Sequence, residues 1–90
     1  MLELSSTVDL MLSKDYKERF KAEYWQTAIR YTKLLVMTIR YDLDLLDFVP
    51  TCPIDLYKDQ LVNMERYLTV LRKRAEIENI DLGLKANEKD

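Results

Sequence analysis

Between Tyr16 and Arg40 the chain contains neither glycine nor proline, and its apolar residues recur at helical spacing. At about 100° per residue such a stretch forms one long helix whose faces separate cleanly. Tyr16, Phe20, Tyr24, Thr27, Tyr31, Leu34 and Thr38 share one side, and Ala22, Trp25, Ile29, Thr32 and Val36 share roughly the opposite side. Between them runs a polar lane of Arg19, Glu23, Gln26, Arg30 and Lys33, spaced 4, 3, 4 and 3. A helix in a two-helix hairpin needs only one apolar face. The second is therefore a partner-binding face, a ligand wall or the seat of the N-terminal arm.

The arm, residues 1–12, carries Leu2, Leu4, Leu10 and Leu12, too apolar a set for a free tail. Ser5, Ser6 and Thr7 offer N-caps for a short helical turn bearing Val8, Leu10, Met11 and Leu12. The arm packs on its own core or on a neighbouring chain, and the first is the simpler expectation. Ser13 or Asp15 starts the long helix, expected over 13–41. Asp15 and Glu18 have the spacing of a capping box, with negative charge at the positive end of the helix dipole.

A connector, expected over 42–52, follows. Asp42, Asp44 and Asp47 alternate along it, but no glycine marks a calcium-loop turn and no glutamate closes one, so a solvated acidic loop is the expectation. Leu43, Leu45, Leu46 and Phe48 are expected to tuck inward, with Phe48 and Val49 plugging the end of the helix pair. Thr51 or Cys52 at the cap, Pro53 in the first turn and Asp55 on the dipole mark a second helix over 53–79. Tyr57, Leu61, Met64, Leu68, Leu71 and Ala75 form a heptad seam on it, which pairs with the Phe20–Tyr24–Tyr31–Leu34 face. Tyr67, Val70, Arg74 and Ile77 form a second, semi-apolar edge, and Asn79 is the expected C-cap. Residues 83–90 read as a polar tail. The expected fold is thus all-α: one helical domain over 1–82, an antiparallel two-helix hairpin with a short N-terminal helical arm.

A chain of 90 residues supports one small core worth only a few kcal/mol, so small domains are often reinforced by disulfides, metals or oligomerisation. Cys52 is the single cysteine and histidine is absent, which removes an intrachain disulfide and the usual zinc sites. Homo-oligomerisation remains. The formal charge of −2 argues against DNA as a partner, despite the Arg72–Lys73–Arg74 triplet. Residues 14–41 nevertheless carry seven cations against three carboxylates, and oligomerisation would concentrate them around a cavity. No apolar run approaches the roughly 18 residues of a membrane span, and the N-terminus lacks the pattern of a secretory signal. With one unpaired thiol, these features place the chain in the cytoplasm.

Catalysis is not expected. The usual nucleophile–base pairs and the glycine-rich phosphate loop are missing, and Glu18 and Glu23, like Glu76 and Glu78, do not share a helix face. No cofactor or metal is expected either.

The run DYKERFKAEYWQTAIRYTKL, the connector LDFVPTCPIDL, Met64 with Tyr67-Leu68, and RAEIENIDL resemble, in order, a family of small phage-encoded proteins named after a crAss-like gut bacteriophage. The resemblance covers about residues 8–82 and implies a protein of tailed phages, working in the cytoplasm of the bacterial host. It carries over no catalytic residues. The chain departs from the family pattern after Lys33, where Leu35, Val36 and Leu43–Leu45 replace more polar residues and a small-residue turn.

A helical phage protein of this kind fits a non-enzymatic anti-defence role exerted by binding. One form is an oligomeric sponge for the cyclic di- or trinucleotide signals of bacterial immunity. Such a ligand needs guanidinium groups for phosphates, aromatic faces for bases and amides for base edges. Tyr16, Arg19, Trp25, Gln26, Arg30 and Lys33 supply those groups. The plainer reading makes Arg19–Glu23 and Glu23–Arg30 surface ion pairs and the aromatics core. The alternative function is inhibition of a host defence protein, such as a CRISPR effector, through the Trp25–Ile29–Val36 face.

Overall fold

The computed structural model of the chain describes residues 3–84. Leu2 and residues 85–90 of the tail lie outside the described residues. A 3-10 turn, Leu4–Thr7, runs directly into α1, Val8–Met11; two long helices follow, α2 at Tyr16–Asp42 and α3 at Ile54–Glu78. The all-α hairpin with a helical arm is therefore the observed architecture. The helices are antiparallel: Tyr16 at the start of α2 bonds to Glu78 at the end of α3.

Each helix end shows how local chemistry sets its bounds. The Asp15 carboxylate accepts from the Lys17 N–H at 3.0 Å and caps α2. The Asp15 N–H donates to the Ser13 hydroxyl at 3.0 Å, so Ser13 takes the place that the capping-box spacing assigned to Glu18. At α3 the expected Thr51 or Cys52 cap is not used. Pro53 is the N-cap without a side-chain bond, and the Thr51 hydroxyl instead meets the Tyr57 hydroxyl at 3.2 Å. Asn79 ends α3 in the left-handed region at φ 59°, as an asparagine tolerates, and the Ile80 N–H donates to the Ala75 carbonyl at 2.8 Å.

Phe20, Tyr24, Leu68, Leu71, Ala75, Ile80 and Leu82 form one buried cluster, with Trp25, Ala28 and Tyr31 packed against it. The two helical faces paired by periodicity thus do meet. Ile80 and Leu82 were not expected in this core. After Asn79 the chain turns back, and the Trp25 indole N–H donates to the Leu82 carbonyl at 3.0 Å. Ile80 and Leu82 alternate with Asp81 and Gly83, and that alternation is the sequence signal of the segment.

Three expectations fail in the connector. Phe48 and Val49 are exposed, Val49 at 87%, so they do not plug the hairpin. Leu43 and Leu45 are exposed too, and only Leu46 is half-buried. Cys52, offered as a cap of α3, is exposed and makes no cap bond. The path of the chain between the two helices sets where these side chains point, and it leaves them outside. Asp42, Asp44 and Asp47 do not gather as metal ligands: among the described residues no group of three candidate ligands forms, and Asp42 pairs with Lys58 at 3.2 Å.

Candidate functional site

The second face of α2 is the seat of the arm. Ala22 and Ile29 are buried, and they flank Gln26 on one helical stripe. The Gln26 amide donates to the Thr7 hydroxyl at 3.0 Å and approaches the Met11 sulfur at 3.4 Å. Thr7, fully buried, donates in turn to the Leu4 carbonyl at 2.7 Å. Arg19 clamps the turn between α1 and α2 by donating to the Ser13 carbonyl at 2.9 Å. A buried hydroxyl needs its partners, so this chain of bonds fixes how the arm lies on α2.

The six residues singled out from the sequence therefore separate. Arg19 and Gln26 hold the arm. Tyr16 belongs to a clasp between the helix ends: its hydroxyl donates to the Glu78 carboxylate at 2.9 Å and accepts from Arg74 at 2.7 Å. Arg74 also lies 4.9 Å from the centre of the Phe20 ring. The hydrogen bond to Glu78, with some desolvation, raises the Tyr16 pKa above its ordinary value of 10.0, against the opposing pull of Arg74. The same carboxylate raises the pKa of Arg74. Trp25 meets Tyr24 edge-on at 5.3 Å and is tied to Leu82, which makes it part of the core. Replacing Trp25 with phenylalanine is expected to cost about 1 kcal/mol, the net worth of the lost hydrogen bond, and to leave ligand affinity unchanged. Chemical denaturation followed by tyrosine fluorescence, beside a ligand titration, checks both parts.

Arg30 and Lys33 remain, and the structure brings them together. The arm and α3 both pack on α2 but leave a gap between them. Arg30, Lys33, Leu34 and Met37 occupy positions i, i+3, i+4 and i+7, one face of α2, and line this gap. Leu4 of the arm forms one wall, and Tyr57 and Gln60, one turn apart on α3, form the other. The resulting open groove has a volume of about 440 Å³, within the usual range for small-molecule sites. Among the described residues neither Arg30 nor Lys33 has a hydrogen-bond or ion-pair partner; the ion pairs are Lys58–Asp42 and Arg74–Glu78. Glu23 thus neutralises neither Arg19 nor Arg30.

The composition of this groove sets it apart from other depressions on the molecule. Two cations, a tyrosine and an amide face it, with no carboxylate in its lining. The depression of about 330 Å³ beside Ile80–Leu82 includes Arg72, but Glu76 and Asp81 sit there too, and Arg72 already donates to Tyr24 and Thr69. Anions are disfavoured by such carboxylates and favoured by cations without partners. Tyr57 and Gln60 were missed as site residues, because the periodicity of α3 had placed Tyr57 in the hairpin seam and left Gln60 unassigned.

A family model described as Sequestin matches residues 14–77. The chain belongs to the Sequestin family. The matched span takes in α2, the connector and nearly all of α3, and so includes Arg30, Lys33, Tyr57 and Gln60 but not the arm. The Sequestin match establishes the family; it carries no statement of phage origin. Comparison with curated proteins gives no match, and comparison with solved structures gives none. Among the described residues no helix is long and apolar enough to cross a membrane.

Proposed function

We propose that this Sequestin-family chain acts by binding without catalysis, as an oligomeric sponge that sequesters cyclic di- or trinucleotide immune signals in an anti-defence role. The observation that carries the reading is the groove itself, in which Arg30 and Lys33 stand unpaired beside Tyr57 and Gln60. Guanidinium and ammonium groups suit phosphates, the tyrosine ring suits a base face, and the amide suits a base edge. The family description is in keeping with a sequestering role. The resemblance to phage-encoded proteins supports action in the cytoplasm of a bacterial host.

Inhibition of a host defence protein through Trp25, Ile29 and Val36 has less support. Ile29 is buried, Trp25 is tied to Leu82, and of the three only Val36 is exposed. Thermal melting with a panel of cyclic nucleotides tests the sponge. A ligand at a hundred-fold excess over its Kd stabilises by about 2.7 kcal/mol, which raises the Tm of so small a domain by roughly 10 °C or more. The nucleotide is recovered intact after denaturation. A panel that leaves the Tm unmoved removes this function.

A further inference from the structure

We propose that an exposed flank of α3 is a dimer interface with a second copy of this chain, in antiparallel register about Tyr67. Leu56, Asn63, Tyr67, Val70 and Ile77 lie along one flank of α3, beside the seam that faces the hairpin core. Leu56, Tyr67, Val70 and Ile77 are all exposed, Ile77 at 81%. Helix α3 therefore carries an exposed apolar flank beside the seam that the hairpin covers. The flank from Leu56 to Ile77 is about 31 Å long at the rise of an α-helix.

Two features of this flank identify its occupant as a second copy. First, its two halves are complementary in shape. The N-terminal half holds a depression of about 430 Å³ lined by Leu56, Asp59, Gln60, Asn63, Met64 and Tyr67. The C-terminal half presents Val70 and Ile77 as exposed apolar side chains. A two-fold axis at Tyr67 sets Ile77 of the second copy against Leu56 and its Val70 against Asn63, so each copy fills the depression of the other. This is an isologous, closed contact. Second, its edges are complementary in charge. The same axis brings Asp59 to Lys73 of the second copy, twice per dimer; neither side chain has a partner within its own chain among the described residues.

Dimerisation is read without nucleotide, so this inference stands or falls separately from the ligand reading. Sedimentation equilibrium of the full chain at micromolar concentration is expected to give twice the monomer mass of 10.8 kDa. A monomer at every concentration overturns the proposal. Asp59→Lys and Lys73→Asp each set like charges opposite one another and weaken the dimer on the order of tenfold. Together they restore it; a double variant as weak as the singles overturns the register. Ile77→Glu, at a position too exposed to affect folding, gives a helical monomer by circular dichroism. A dimer of unchanged strength in that variant overturns the interface.

Discussion

Leu71→Ala is expected to destabilise the fold by about 3 kcal/mol, seen as a fall of roughly 15 °C in Tm. Leu71 is completely buried and lies at the centre of the α3 seam, between Leu68 and Ala75. Truncation removes its transfer free energy and leaves a cavity that Phe20, Tyr24 and the Ile80–Leu82 segment close only in part. The relative size of the loss follows from chain length. A domain of this size has a stability of only several kcal/mol, so one core side chain accounts for a large fraction. Val62→Ala, on the exposed side of the same helix, is the control, with an effect within about 0.5 kcal/mol. Urea melts of the two variants check the pair. Equal losses would mean that Leu71 is not central to the core.

Removing both cations of the groove, Arg30→Ala with Lys33→Ala, is expected to weaken nucleotide binding by a hundredfold or more and leave the Tm of the free protein within a few degrees. A hydrogen bond to a charged group is worth about 1.5–3 kcal/mol, so two such contacts account for that factor. Stability is spared because neither side chain has a partner among the described residues and both are exposed. Arg19→Ala gives the opposite outcome. Its guanidinium holds the Ser13 carbonyl, so its loss loosens the arm and lowers stability, with little direct effect on the ligand. Isothermal titration of the variants with the nucleotide that shifts the wild-type melt separates the two. Equal loss of affinity in both would extend the site along the whole lane.

The difference between Arg19 and Arg30 was invisible in the sequence. Both belong to one polar lane at one spacing, and both have the chemistry for phosphate. Arg19 is engaged by the Ser13 carbonyl in the turn after α1, whereas Arg30 faces the groove that Leu4 of the arm borders. The arm's position depends on Thr7, a residue whose burial no local pattern signals, and on the bond it receives from Gln26. Tyr57 was legible as a seam residue of α3, but its place opposite Arg30 depends on how the two helices sit about each other. The connector misled for a related reason. Phe48 and Val49 are apolar enough to be expected inside, yet the path between the helices leaves them outside.

Helical periodicity, the Asp15 cap and the Asn79 terminus were readable residue by residue, because each depends on neighbours within one or two turns. They suffice for two long helices, their paired faces and the surplus apolar face on α2. The occupant of that surplus face, the return of Ile80–Leu82 onto Trp25 and the groove of Arg30, Lys33, Tyr57 and Gln60 belong to the folded molecule. Each joins segments far apart in the chain, and their meeting is set by the packing of the arm and α3 on two sides of α2.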